Sequence, residues 1–159
     1  MMKIENNYWL LKTEPSLFSI DDFQREQKTT WEGVRNFEAR NNIKKMQVGD
    51  GAFIYHSSTK NNGIVGYGMI SSPYFPDETA FDIKGPYYDQ KSSEQNPLWW
   101  AIEVSFKQKY HKVITLSELK TIKALQKCRL LKKGNRLSVI GLDSIQASAI
   151  MEYINRGVN

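Results

Sequence analysis

Cysteine and histidine are nearly missing from this chain of 159 residues: one cysteine, Cys128, and two histidines, His56 and His111. A single cysteine excludes an internal disulfide, and so few ligands exclude the common Cys/His zinc patterns. No apolar run approaches the roughly 20 residues that a membrane-spanning helix needs. The polar start, Met1-Met2-Lys3-Ile4-Glu5-Asn6-Asn7, lacks the apolar centre of a signal peptide. No loop ends in Gly-Lys-Ser/Thr, and Gly63, Gly66 and Gly68 stand in a strand-like run at the wrong spacing for a dinucleotide fingerprint. These absences predict a reduced, soluble, intracellular and cytoplasmic protein with no metal, no cofactor and no membrane partner.

What is present is ordinary globular chemistry. Forty per cent of the residues are hydrophobic, a quarter are charged, and 22 Lys+Arg against 17 Asp+Glu leave a formal charge of +5. That balance excludes an intrinsically disordered chain, and the length predicts one domain, residues 1–159. The placement of charge is more informative than its sum. Between Val104 and Arg136 the bases are Lys107, Lys109, Lys112, Lys120, Lys123, Lys127, Arg129, Lys132, Lys133 and Arg136, and the only acid is Glu118. Such a stretch suits a phosphate backbone as well as it suits solvent. Lys120, Lys123, Lys127, Lys132 and Lys133 are the candidate backbone contacts.

Aromatic residues make up 12% of the chain. Several lie among polar neighbours: Trp31 in Thr30-Trp31-Glu32-Gly33-Val34-Arg35-Asn36, Tyr55 beside His56-Ser57, and Tyr87-Tyr88-Asp89. Flat rings beside hydrogen-bonding groups are what a nucleobase pocket requires. The same rings can equally anchor loops to a small core.

The periodicity predicts strands at Tyr8–Lys12, Gly51–His56, Ile64–Ile70 and Trp99–Tyr110. In the last, alternation puts Trp100, Ile102, Val104 and Phe106 on the core face and Trp99 on the polar one. Helices are predicted after Ser19, over Asn36–Met46, in a broken stretch from Thr115 to Leu131, and from Asp143 or Ser144 to Asn155. The last buries a stripe of Leu142, Ile145, Ala149 and Tyr153. Gly66 and Gly68 leave one strand face without bulk, for a flat ligand or for close helix packing. The fold class is therefore α+β, a small β-barrel flanked by helices.

Catalytic groups are not obvious. His56 and Ser57 are neighbours on a strand, so their side chains diverge, and no carboxylate spacing singles out an acid/base couple. Cys128, between Lys127 and Arg129, is either a thiol of lowered pKa or an inert buried one.

The order of segments carries more than any one of them. Tyr8-Trp9-Leu10-Leu11-Lys12-Thr13-Glu14-Pro15, Phe18-Ser19-Ile20-Asp21-Asp22 and Thr30-Trp31-Glu32-Gly33-Val34-Arg35-Asn36-Phe37-Glu38-Ala39-Arg40-Asn41 come first. Ala52-Phe53-Ile54-Tyr55-His56-Ser57, Gly63-Ile64-Val65-Gly66, Tyr88-Asp89, Asn96-Pro97-Leu98-Trp99 and Arg136-Leu137-Ser138-Val139 follow. Together they resemble the EVE domain family from about Asn7 to Tyr153. One departure is the Ile140-Gly141 pair after Val139, where relatives often carry Gln-Pro. The resemblance implies a PUA-like fold, related to YTH domains, and a pocket that accepts a modified base of DNA or RNA without catalysis. Carried over, that pocket draws on Lys12, Thr13 and Glu14, on Trp31, Val34, Arg35 and Asn36, on Tyr55, His56 and Ser57, and on Arg136 and Ser138, with Trp99 as a further candidate. Trp31 or Tyr55 would stack on the base, while Arg35, Asn36, His56 and Ser57 would read its edge. The alternatives are a nucleic-acid or nucleotide-processing enzyme and a binder of a small molecule or protein. ASCH relatives with nuclease activity resemble this fold, but the Gly-x-Lys of their motif does not occur in this chain. A separate effector protein is compatible with a pure reader, and the oligomeric state stays open.

Overall fold

The computed structural model describes residues 7–157. A short apolar segment, Tyr8–Thr13, forms β1, with Leu10 and Leu11 fully buried. It runs parallel to the strand Gly51–His56 and antiparallel to Val139–Leu142. Numbered along the chain, the strands are β1, β2 (Lys28–Trp31), β3 (Gly51–His56), β4 (Gly63–Ile70), β5 (Phe75–Pro76), β6 (Trp100–Thr115) and β7 (Val139–Leu142). Their hydrogen-bonded order is β2-β6-β4-β3-β1-β7, with β5 paired to the start of β6.

The α+β class is therefore as expected, but the barrel is not closed. The path ends at β2 on one side and β7 on the other, and those two strands do not pair. Periodicity does not predict β2 or β7. Lys28-Thr29-Thr30-Trp31 is short and mostly polar, and Val139-Ile140-Gly141-Leu142 is short and broken by a glycine. β6 runs five residues beyond the expected Tyr110.

Helices cap and cover this sheet. α1 (Ile20–Glu26) starts from a capping box in which Ser19 and Asp22 satisfy each other's backbone N–H groups. α2 (Phe37–Ile43) is capped by Asn36 and tied to β7 by a 2.8 Å bond from the Asn42 amide to the Val139 carbonyl. A short α3 (Leu116–Leu119) and two 3-10 turns, Lys123–Leu125 and Arg129–Leu131, make up the broken helical stretch. α4 (Ser144–Arg156) has a second capping box, Asp143 with Gln146. It buries Ala147, Ile150 and Ile154, whereas Ile145 is exposed. The helix is thus rotated from the expected stripe, because an i, i+3, i+7 set starting two residues later meets the core.

Gly66 and Gly68 of β4 serve helix packing. A Cβ on Gly66 would come within 2.4 Å of the Ile20 Cδ1 and 2.6 Å of the Gln108 carbonyl oxygen, and one on Gly68 within 3.1 Å of the Phe23 ring. The bare strand face is the seat of α1, and Phe23 is completely buried on it. Burying such a ring contributes about 1.5–3 kcal/mol. A Gly66→Val substitution should therefore destabilise the chain by about 1–3 kcal/mol through overpacking. Urea unfolding checks this: the midpoint should fall, and an unchanged midpoint would mean that α1 is not held there.

Candidate functional site

Because the sheet curls without closing, residues beside its two free edges come to face one gap. A cleft of about 380 Å³ lies there, lined by Lys12, Thr13 and Glu14 at the end of β1, Thr29 to Arg35 on and after β2, Ser138 just before β7, and Leu17, Phe18 and Tyr87. A larger cleft of about 690 Å³ adjoins it. Its walls carry Lys12, Thr13, Glu14, Tyr55, Ser57, Lys120, Lys132, Lys133, Asn135, Arg136 and Ser138, with Leu116, Leu130 and Leu131 as apolar lining. Both volumes suit small-ligand sites. Lys12, Thr13, Glu14 and Ser138 line both clefts and form the ridge between them.

The ridge is held by backbone. The Lys12 N–H donates to the Ser138 carbonyl at 2.9 Å, the Ser57 N–H donates to that of Thr13 at 3.0 Å, and the Thr13 hydroxyl donates to that of Phe18 at 2.9 Å. The Lys12 ammonium lies 5.7 Å from the Tyr55 ring centroid and is half-buried. Burial holds its pKa below the ordinary lysine value, an effect that the neighbouring Cys128 opposes. Cys128 itself is buried, and that burial pushes its thiol up rather than down.

The wall opposite the ridge is fixed by one buried carboxylate. Asp77 accepts from the Gly33 N–H at 2.8 Å, the Arg35 Nη1 at 2.9 Å, and the Thr79 N–H and hydroxyl at 2.9 and 2.5 Å. Arg35 also donates to the Tyr87 carbonyl through Nε (3.1 Å) and Nη2 (2.7 Å), and its guanidinium lies over the Tyr87 and Trp99 rings. Tyr87 in turn rests on Gly33, where a Cβ would stand 2.8 Å from the ring, and the positive φ of +78° there suits glycine. Burial alone would raise the Asp77 carboxyl, but the hydrogen bonds from Thr79, Arg35 and Gly33, with the Arg35 charge, hold it below the usual value. Glu32 behaves oppositely. Partial burial, with Asp77 and Glu78 nearby, raises its carboxyl.

The candidate residues therefore divide. Lys12, Thr13, Trp31, Val34, Arg35 and Ser138 line the small cleft, and Tyr55, Ser57, Lys120, Lys132, Lys133 and Arg136 line the large one. Asn36, His56 and Trp99 line neither. Asn36 commits its side-chain carbonyl to the Ala39 N–H at 2.9 Å as the cap of α2. His56 accepts the Ile20 N–H on Nε2 at 3.1 Å, and its pKa is lowered chiefly by burial. It thus serves the first turn of α1 rather than a ligand. Trp99 is buried, stacks on Phe37 at 5.1 Å and donates its indole N–H to Asp89 at 2.8 Å. Both faces of β6 are covered at its start, which defeats the alternation that places Trp99 on a polar side. Arg35 lines the cleft but directs its hydrogen bonds into the protein. Trp31 and Tyr55 are themselves largely buried, at 8% and 3% exposure. The Trp31 ring packs edge-on against Phe18 at 6.1 Å. Lys123 faces a separate cleft with Tyr153 and Arg156, and Lys127 is exposed outside both site clefts. Leu17, Phe18 and Tyr87 belong to the small cleft without being sequence candidates for it. The Tyr87-Tyr88-Asp89 run is the one signal that points to any of them.

The EVE domain family profile matches residues 7–153. The chain belongs to the EVE domain family. Its fold is accordingly PUA-like. Thymocyte nuclear protein 1 of Gallus gallus is 45% identical over 130 residues, 75% of this chain and 54% of that protein. The EVE chain thus spans about half the length of the curated relatives that it matches. A hypothetical protein from Leishmania major superposes with a TM-score of 0.92 at 37% identity, covering 98% of each chain. Human THYN1, solved in complex with DNA containing 5-methylcytosine, superposes with a TM-score of 0.85 at 34% identity, covering 94% of this chain and 98% of that one. The relatives' name is that of a nuclear protein, which gives the expected cytoplasmic location no support. No helix among the described residues is long and apolar enough to cross a membrane.

The Asp77 clamp is open to two measurements. Arg35→Ala should cost about 3 kcal/mol, since it leaves a buried carboxylate without its cation, and chemical unfolding measures it. The lowered Asp77 pKa stabilises the folded state above the unfolded carboxylate value of about 4. That contribution is lost as the pH falls below about 4 through the folded value. The melting-temperature gap between the parent and Asp77→Asn should therefore be full at neutral pH and close on acidification. A gap independent of pH would show that the carboxylate charge is not what holds the wall.

Proposed function

We propose that this EVE domain is a non-catalytic module that binds DNA at a modified base. The base enters the small cleft and the neighbouring phosphates lie in the large one. The observation that carries this reading is the ridge of Lys12, Thr13, Glu14 and Ser138, which sets an aromatic and apolar cleft directly beside a cationic one. The 5-methylcytosine DNA complex of the human relative supports the ligand class.

In the small cleft, Trp31, Phe18 and Val34 supply apolar wall for a ring and its methyl group. Contact of a base with an aromatic side chain contributes about 1–3 kcal/mol, which offsets the few kcal/mol needed to unstack it. Among the described residues nothing accepts from the Trp31 indole N–H, so it is free to donate to a base carbonyl. The side chains of Glu32 and Ser138 are the remaining polar groups suited to the base edge.

In the large cleft, Lys12, Lys120, Lys132, Lys133 and Arg136 form no salt bridge among the described residues, whereas Lys109 and Arg129 from the same basic stretch are paired with Asp21 and Glu38. These five cations converge on one surface. Asn135 lines it too, with a buried amide Nδ2 that has no acceptor among the described residues. A phosphate oxygen in this cleft would be met by the cations.

Titration of otherwise identical oligonucleotides with and without 5-methylcytosine, at several salt concentrations, tests the two halves separately. Lys132→Ala and Lys133→Ala should weaken both ligands equally and lower the salt slope by about 1 for each phosphate no longer neutralised. Trp31→Phe should narrow the preference for the modified base and leave the salt slope unchanged. Equal binding of both oligonucleotides by the parent chain would sink the base-reading half.

A further inference from the structure

Leu17 is a large apolar side chain left 71% exposed. Ile83 and Ile145 are exposed to a similar degree, but neither lines the small cleft, and Leu17 does. Its backbone is not loose. The Leu17 and Phe18 N–H groups both donate to the Glu14 carbonyl at 2.9 Å, and the Phe18 carbonyl accepts from the Thr13 hydroxyl. The turn therefore grows from the ridge itself. It directs one residue, Phe18, inward against Trp31 and leaves the other standing at the mouth.

A base that leaves a duplex opens a flat, apolar slot between its former neighbours, and proteins that distort DNA commonly fill such slots with leucine or a similar wedge. We infer that Leu17 is the wedge of this site: it occupies the place in the stack that the extruded base vacates, so the preferred ligand is duplex DNA rather than a single strand. The inference rests on the base-binding reading above and adds to it the form of the ligand and the residue that selects it. An apolar group held on a braced turn beside the entrance is left 71% exposed among the described residues, and a base stack offers it a water-excluding partner. A single strand has no continuous stack to repair, and Leu17 gains nothing from it.

The test uses one sequence with a single 5-methylcytosine, presented as a duplex and as a single strand, and titrated with the parent chain, Leu17→Ala and Leu17→Met. Because the side chain is exposed, the melting temperatures of both variants should match the parent. Leu17→Ala should lose about tenfold in affinity for the duplex and less than about twofold for the single strand. Leu17→Met, still long and apolar, should retain duplex binding. Loss of equal size on both ligands, or no loss on either, while the modified base is still preferred, overturns the wedge and leaves the base pocket standing. Absence of any preference for 5-methylcytosine in either form removes the pocket and the wedge with it.

Discussion

The site depends on the carboxylate of Asp77. It lies 42 residues from Arg35 in the chain, is buried, and gathers the Gly33 amide, the Arg35 guanidinium and both donors of Thr79. Through Arg35 the same clamp fixes Tyr87, and through Gly33 it sets the bend by which the chain leaves β2. Without it, the wall opposite Lys12 would be an ordinary loop at the edge of an unclosed sheet. A charge buried in this way is expensive unless every lone pair is met. Here the donors are supplied by the segments that need holding, so the cost is offset where the shape is required.

Hydrogen-bond partners explain why some candidate residues serve the fold rather than a ligand. Arg35, Asn36 and His56 sit beside aromatic residues in sequence, and polar groups in that setting look the same whether they face a ligand or the backbone. Their partners decide the matter, and for Arg35 and His56 these lie far along the chain: Asp77 and Tyr87 for the first, Ile20 for the second. The local N-cap role of Asn36 is within reach of pattern reading, since it precedes an apolar periodicity directly. What is legible comes from the order of whole segments. It draws Lys12 to Glu14, Trp31 to Asn36, Tyr55 to Ser57 and Arg136 to Ser138 into one neighbourhood, and apart from Asn36, His56 and Leu137 those residues line the paired clefts. The central strands are legible from their apolar content. The edge strands β2 and β7 are not, because four residues carry too little periodicity, and their flanks make the cleft.

The surplus of +5 acquires a location rather than a meaning of its own. Part of the basic stretch is neutralised locally, Lys109 by Asp21 and Arg129 by Glu38. The rest is divided by the fold. Lys120, Lys132, Lys133 and Arg136 meet at the large cleft, while Lys123 and Lys127 lie outside it. Lys12 belongs to both halves of the site: half-buried, over the Tyr55 ring and facing either cleft, it places a positive charge where a base and its own phosphate would diverge.

That divergence is the central claim, and the indole N–H resonances of the four tryptophans test it directly. Trp31 lines the small cleft, whereas Trp9 and Trp99 donate to Asp50 and Asp89 within the protein. In a 15N-resolved titration with an oligonucleotide containing 5-methylcytosine, the Trp31 indole signal should move strongly, and the Trp9 signal should stay in place. The unmodified oligonucleotide should shift backbone signals around Lys132 to Arg136 while moving Trp31 much less. A modified oligonucleotide that binds with the Trp31 signal undisturbed would contradict the assignment of the base to this cleft.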